Sequence, residues 1–142
     1  MNEPIMVFNI YIDKSAISSF NGDCNSVTVI PFTGEVKSEL FSGVILPGAV
    51  DVQVGDHSGC RNLCARYMFK GVDSDGEKCY LYVENSGWLR NDQPEGAVLH
   101  ASPRFITDSK ALCGYFSQNI LRAEIHPTEE GVNILVYAAQ SL

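Results

Sequence analysis

Short apolar runs separated by turn residues recur along almost the whole chain, and their spacing is that of β-strands. They cover residues 8–12, 27–32, 35–46, 50–54, 98–106, 112–125 and 131–139. Two further runs flank Asp75-Gly76, a dipeptide that favours a two-residue hairpin loop. No apolar pattern of helical period exceeds about two turns. Roughly nine or ten closely spaced strands predict an all-β protein built as a meandering β-barrel.

The segments between these runs are less regular. Residues 15–22 are polar and predict a loop or a short turn of helix. Residues 35–46 predict either one bent strand or two, with Gly43 at a bulge or at a close approach of two backbones. Residues 55–59 and 91–96 have the composition of loops.

The hairpin around Asp75-Gly76 determines which side chains share a face of the sheet. A two-residue loop places Arg66 opposite Asn85 on one face. The other face then carries an aromatic stripe of Tyr67, Phe69, Tyr80, Tyr82 and Trp88. We interpret this stripe as outer packing or a subunit interface rather than a ligand platform, because so large an exposed patch is unusual on a monomer.

Arg66 is the only charged residue in the apolar run 63–69. A buried guanidinium needs a carboxylate or several acceptors, because an unpaired buried charge costs several kcal/mol. Asp51 and Gln53 lie on the preceding predicted strand and point to one side. The hypothesis is that Asp51, Gln53, Arg66 and Asn85 project into the barrel as one polar cluster. The alternative is a structural ion pair inside a barrel filled by side chains.

Composition narrows the class of partner. The chain has 142 residues and a formal net charge of −7, and residues 1–142 predict a single β-barrel domain because no repeat or linker divides them. The acidic balance and the absence of a Lys/Arg cluster argue against nucleic acid as a partner. No basic start precedes an apolar run, and no run is long enough to cross a bilayer, so the sequence predicts no membrane association and a cytoplasmic location.

Cysteine and histidine patterns indicate no metal or catalytic centre. The five cysteines are odd in number and scattered, as expected of reduced thiols. Cys60 and Cys64 on a strand would lie roughly 13 Å apart, too far to share a zinc ion. His57, His100 and His126 form no triad pattern and are predicted at the surface or at the rim of a pocket. No phosphate loop or metal motif is present, so no cofactor is predicted.

Several short motifs together resemble domain-of-unknown-function family 3237. They lie in residues 43–53, 65–67, 75–76, 82–87 and 103–105, and the similarity runs from about residue 7 to 137. The resemblance implies a closed antiparallel β-barrel, paired as a homodimer, with no agreed activity. The matching positions that form the candidate ligand-binding set are Asp51, Gln53, Arg66, Tyr67, Asn85 and Phe105.

The chain departs from the pattern of that family at four positions. Val52 stands where the family tends to have an aromatic residue. His100, Ile106 and Ser117 align where it tends to carry Arg, Glu and Asn. If those polar groups serve chemistry in relatives, this chain does not share it.

Three functions follow from the candidate cluster. The first is a barrel that binds a small organic molecule through its apolar walls, with Arg66 and its partners orienting a carboxylate or carbonyl. The second is a cofactor-independent isomerase, cyclase or lyase in which Asp51 transfers a proton and Arg66 stabilises an oxyanion. Arg66 would lower the pKa of Asp51 and make it a poor base, which weighs against this second function. The third is a structural dimer with a filled barrel.

Overall fold

The structure is a computed structural model that describes residues 3–56, 58–90, 92, 94 and 96–141. In these ranges it has eleven strands, one α-helix and one short 3-10 helix (Lys14–Ala16). The strands and the helix are, in chain order, β1 (Met6–Tyr11), β2 (Ser18–Asn21), β3 (Ser26–Pro31), β4 (Thr33–Lys37), β5 (Phe41–Ile45), β6 (Val50–Gly55), β7 (Cys60–Asp73), β8 (Lys78–Arg90), β9 (Leu99–Thr107), α1 (Lys110–Gln118), β10 (Asn119–Pro127) and β11 (Gly131–Ser141).

Eight of these strands close into an antiparallel barrel, so the predicted fold class is confirmed. The order around the barrel is β1, β4, β5, β7, β8, β9, β10 and β11, with β11 returning to β1. Strands β7 to β11 follow one another as a meander, whereas β1 lies between β4 and β11. Eleven strands exceed the predicted nine or ten. The polar residues 18–21 form β2, and residues 35–46 contribute to two strands rather than one.

Three strands extend the barrel at one end. The long strand β7 pairs with β8 along one edge, and along the other edge it pairs with β6 at residues 61–66 and with β5 at residues 69–73. Strands β3 and β2 continue outward from β6. We call β2, β3 and β6 the extension. The inner face of the extension continues the inner face of the barrel, because β6 pairs with β7, which is itself a barrel strand.

Helix α1 covers the opposite end of the barrel, where the sequence had predicted an unbroken strand over residues 112–125. That prediction is wrong for its first half. Ser109 begins the helix, since its Oγ accepts a hydrogen bond from the Leu112 amide at 3.0 Å. The same hydroxyl donates to the Asp73 carboxylate at 2.7 Å, which ties the helix to the β7–β8 hairpin. Leu112 is buried in the core.

The hairpin has a three-residue loop rather than the predicted two. Asp73 pairs with Glu77 across the turn, and Gly76 adopts a φ of 78°. The Asp73 carboxylate accepts hydrogen bonds from the amides of Asp75 at 2.9 Å and Glu77 at 3.1 Å. A loop of this length with a left-handed glycine is the usual alternative to the two-residue turn. The predicted register is therefore wrong by one residue.

The corrected register reverses the face assigned to β7. Asn85 lies opposite Ala65, and Arg66 lies opposite Glu84. Tyr67 and Phe69, which had been assigned to an outer aromatic stripe, are buried in the core. Their inward direction follows from the alternation of a strand once the register is known.

Two of the other members of the predicted stripe are exposed. Tyr80 is 42% exposed and Trp88 is 71% exposed. Met68 and Ile106 are also exposed, and both pair directly with Tyr82. This outer surface fits the interpretation as packing against another subunit, and the homodimer stays a prediction.

The core fills the barrel between the helix and the middle of the strands. Its largest fully buried side chains are Phe8, Phe41, Phe69, Met6, Leu81, Leu112, Val83 and Val136. The rings of Phe8 and Phe69 lie 4.8 Å apart between centroids. No helix in the described ranges is long and apolar enough to cross a membrane.

Candidate functional site at the open end of the barrel

A cavity of about 150 Å³ lies inside the end of the barrel opposite α1. Its walls are formed by the strand ends that lie farthest from the β7–β8 turn. Most of the lining side chains are aliphatic or aromatic, and they include Ile10, Ile30, Phe32, Leu63, Ala65, Leu99, Ile125, Val132 and Ile134. An apolar wall with a few polar groups is the usual composition of a small-molecule site.

Three of the predicted polar residues meet at this cavity. Asp51 and Gln53 line it from β6, and Asn85 lines it from β8. Ala65 separates them, since it pairs with Asp51 on one side and with Asn85 on the other. Two strand spacings therefore place the Asp51 and Asn85 backbones about 10 Å apart. Gln53 Nε2 donates to Asp51 Oδ2 at 2.9 Å.

The polar atoms beside the cavity are incompletely bonded. Asp51 Oδ1, Asn85 Oδ1 and the Tyr67 hydroxyl are shielded from solvent, and none has a hydrogen-bond partner among the described residues. Each such atom costs about 1–3 kcal/mol when it stays unpaired. An ordered water, an ion or a ligand can complete such bonds, and a catalytic role is another reason for them.

Tyr67 lies beneath the cavity rather than in its wall. It is two residues along β7 from Ala65 and therefore on the same face. Its ring packs edge-on against Phe32, which lines the cavity, with 5.2 Å between the ring centroids. Burial raises the pKa of the Tyr67 hydroxyl, and the charge of Asp51 raises it further. The hydroxyl stays protonated at neutral pH.

Burial raises the pKa of Asp51 above that of an ordinary aspartate. The hydrogen bond from Gln53, the backbone of Cys64 and the charge of Arg61 act in the opposite direction, and burial outweighs them. Desolvation disfavours the charged form of a carboxyl group, so the proton is held more firmly than in water.

Arg66 does not belong to the cluster, and the prediction that it projects into the barrel is wrong. Its side chain is exposed on the outer face of β7. Contact with the Cys64 side chain raises the pKa of Arg66, and the nearby carboxylate of Glu84 raises it further. The sequence did carry a signal for this placement. Lys70 lies four residues beyond Arg66 on the same strand and therefore on the same face. Both side chains are exposed.

Phe105 packs against the barrel core and contacts helix α1. Its ring stacks on Phe116 of α1 at 5.0 Å between centroids and meets Phe8 edge-on at 6.4 Å. The two contacts join the helix to the barrel interior. Phe105 therefore acts through packing, and its part in ligand binding stays a prediction.

The histidines have separate surroundings. His100 is exposed and lines the mouth of the cavity, as predicted for a rim residue. His126 Nε2 lies 3.1 Å from Glu124 Oε1 at the surface. His57 lies outside the described residues. Over the part of the chain that the structure covers, no three His, Cys, Asp or Glu side chains group in a way that would hold a metal ion.

A family model described as a protein of unknown function, DUF3237, matches residues 2–139. The chain belongs to the DUF3237 family. A UPF0311 protein from Clostridium acetobutylicum is 29% identical to it over 86 residues, which are 60% of this chain. The chain spans only 52% of the length of that relative.

Solved structures of three bacterial proteins have the same fold as this DUF3237 chain. A protein of unknown function from Clostridium acetobutylicum superposes with a TM-score of 0.78 at 24% identity, covering 99% of both chains. A conserved protein of unknown function from Rhodopseudomonas palustris gives 0.74 at 23% identity, covering 100% of this chain and 97% of the other. A β-barrel-like protein from Acinetobacter baumannii gives 0.72 at 18% identity, covering 96% and 94%. At these identities the likeness extends to the fold alone.

The unpaired hydroxyl beneath the cavity leads to a stability prediction for this DUF3237 chain. Tyr67→Phe removes a buried polar atom that has no partner in the described ranges. We expect the free energy of unfolding to rise by about 1 kcal/mol, since the desolvation cost of that atom disappears. Urea denaturation followed by circular dichroism measures the change.

Tyr11→Phe is the matched control for that prediction. The Tyr11 hydroxyl donates to Glu35 at 2.9 Å on the surface, so its removal gives no gain in stability. A fall in stability for Tyr67→Phe would contradict the picture of an unpaired hydroxyl.

Proposed function

We propose that the chain binds a small organic molecule in the cavity at the open end of the barrel. The observation that carries the proposal is the pair of shielded, unpaired oxygen atoms, Asp51 Oδ1 and Asn85 Oδ1, in a mostly apolar cavity of the described structure. The apolar walls supply affinity by removing hydrocarbon from water. The two oxygens orient the molecule by accepting hydrogen bonds from it.

The two unpaired acceptor oxygens of the cavity favour a ligand whose head group donates hydrogen bonds. Asp51 and Asn85 both present acceptor oxygens, and Arg66, the cation expected to hold a carboxylate, lies outside the barrel. A carboxylate placed against Asp51 would be repelled. A hydroxyl or amino group, which can donate, fits these acceptors.

The volume of the cavity defines the body of the ligand. A dry apolar cavity of about 150 Å³ is large enough for a benzene-sized ring, and the cavity here has that volume. The ligand class is therefore a single ring, or a branched aliphatic group of similar size, that carries a donor at one edge. An open cavity also favours binding over the structural dimer with a filled barrel.

Phenol and toluene form a matched pair of probes for this proposal. They have nearly the same shape, and only phenol donates a hydrogen bond. We expect the wild-type chain to bind phenol about tenfold more tightly than toluene, because only phenol can pair a buried acceptor that otherwise costs about 1–3 kcal/mol. Two-dimensional nuclear magnetic resonance titration of the labelled full chain measures both affinities.

Two variants complete the experiment. Asp51→Leu should remove the preference for phenol while toluene still binds. Arg66→Ala, on the outer face, should leave both affinities and the thermal stability unchanged. If neither probe shifts the resonances of Leu63, Ala65 and Leu99, the cavity is not a binding site and the proposal fails.

A second candidate is an acid–base enzyme, an isomerase, cyclase or lyase that uses the same cavity. The observation in its favour is that burial raises the pKa of Asp51. A general acid or base is most effective when its pKa is close to the working pH. The earlier objection depended on Arg66 lowering the pKa of Asp51, and it no longer applies because Arg66 faces away.

A further inference from the structure

A second, polar recess lies on the inner face of the extension, beyond the mouth of the cavity. It has a volume of about 520 Å³ and opens to solvent. Its polar lining side chains are Ser19, Asn21, Ser26, Thr28, Asp56 and Arg61. We call it the extension groove. The hydroxyl groups and the Arg61 guanidinium of this groove can donate hydrogen bonds, and the Asp56 carboxylate accepts them.

The extension groove and the cavity share one continuous face of the sheet. Gly55 pairs with Arg61, Gln53 with Leu63 and Asp51 with Ala65. These three pairs are successive positions on the same face, because side chains alternate along a strand. The distance along β7 from the Ala65 level to the Arg61 level is about 13 Å.

The guanidinium of Arg61 is incompletely satisfied. Its Nε atom is shielded from solvent and has no hydrogen-bond partner in the described part of the chain. No carboxylate among the described residues lies within 4.0 Å of its guanidinium nitrogens. Asp56, which also lines the groove, accepts hydrogen bonds from the amide and hydroxyl of Ser58.

A glycine makes room for the Arg61 side chain. A Cβ atom at Gly55 would lie 3.0 Å from Arg61 Cγ and 2.6 Å from Ser26 Oγ. The aliphatic part of the Arg61 side chain therefore packs against β6 at Gly55, where no side chain occupies the space. This close packing holds the guanidinium over the inner face of the extension.

We infer that the natural ligand is an organic acid whose ring occupies the barrel cavity and whose anionic group pairs with Arg61 in the extension groove. The inference rests on the proposed function, because the ring is held by the same cavity. The donor edge of the ring meets Asp51 and Asn85, and the acid end extends toward Arg61. A guanidinium binds carboxylate, phosphate or sulfonate through paired hydrogen bonds, and nearby hydroxyls add donors.

The test compares a hydroxyphenyl-terminated carboxylic acid with the corresponding alcohol. Hydroxyphenylbutyrate and hydroxyphenylbutanol have the same ring and chain and differ only in the charged end. We expect the wild-type chain to bind the acid roughly tenfold more tightly than the alcohol, which corresponds to about 1.4 kcal/mol. Titration of the labelled full chain, followed by nuclear magnetic resonance, measures both affinities.

Three variants separate this inference from the proposed function. Arg61→Gln should bring the acid to the affinity of the alcohol and leave the alcohol unaffected. Arg61→Lys should keep part of the preference, because the charge remains. Gly55→Ala should weaken acid binding alone, since the new Cβ displaces the Arg61 stem.

Each outcome has a defined meaning. An alcohol that binds as tightly as the acid in the wild type overturns the inference and leaves the proposed function standing. A preference for the acid that persists in Arg61→Gln also overturns it. If neither probe binds a wild-type chain that does bind phenol, the inference fails and the proposed function stands.

Discussion

Gly71→Ala is expected to lower the free energy of unfolding by about 3 kcal/mol or more, at the upper end of what overpacking costs. Gly71 on β7 pairs with Gly43 on β5, where the two backbones approach closely. An alanine Cβ at position 71 would lie 1.9 Å from the Ser42 carbonyl oxygen and 2.6 Å from Gly43 Cα. Both contacts are with backbone, so β5 would have to separate from β7. Urea denaturation measures this loss of stability. The close contact between Gly71 and Gly43 confirms the predicted close approach of two backbones at Gly43.

Gly114→Ala is the matched control. Gly114 lies in α1, and a Cβ there meets nothing within 4 Å. Alanine should stabilise the helix by about 0.5–1 kcal/mol, because glycine loses more backbone entropy on folding. A Gly71→Ala variant as stable as the wild type would mean that β5 and β7 are not held at this distance.

Asp51→Asn is expected to abolish catalysis of proton exchange if the chain is an acid–base enzyme. Cyclohexanone fits the size of the cavity, and its hydrogens next to the carbonyl exchange with deuterium through an enolate. Asp51, which lines the cavity, would take the proton as the enolate forms. Loss of a positioned base costs about 10²–10⁴ in rate. Proton magnetic resonance in deuterated water follows the exchange.

The pH dependence gives a second readout of the same experiment. The base form of Asp51 appears as pH rises through its folded pKa, which burial has raised. Exchange should therefore increase with pH over a range above the usual aspartate value of about 4. Because the pKa of Asp51 is raised in the folded state, ionisation of Asp51 opposes folding. Asp51→Asn should therefore be more stable than the wild type at pH values above that range.

Two outcomes would decide between the candidate functions. Exchange that is no faster with the wild-type chain than in buffer would exclude the enzyme and leave the binding protein. Equal rates in wild type and Asp51→Asn would show that another group carries the proton. Arg66→Ala serves as the control and should keep the full rate, because its side chain lies outside the barrel.

The barrel could be predicted from the sequence because strand periodicity is a local property. The register of the β7–β8 hairpin could not be predicted in this way, because it depends on hydrogen bonds made by a side chain at the turn. Asp73 caps the amides of Asp75 and Glu77 and lengthens the loop to three residues. A shift of one residue reverses the face of a whole strand. That error put Arg66 on the same face as Asn85, and the apolar neighbours of Arg66 then suggested that this face was the inner one.

The polar cluster was partly predictable. Asp51 and Gln53 were assigned to one face by the two-residue period of a strand, and the structure confirms that they share it. Asn85 also faces the cavity. Arg61 was missed because it lies next to a segment of loop composition, and nothing local shows that β6 and β7 continue beyond the barrel. Helix α1 was missed because its apolar residues also suit a strand.

The separation of α1 from the cavity has a consequence for laboratory evolution. Along β7, Asp73 at the helix end and Ala65 at the mouth are about 26 Å apart. Substitutions that far apart contribute almost independently to stability. A library that randomises only the mouth positions should therefore leave the stability contributed by the helix end almost unchanged.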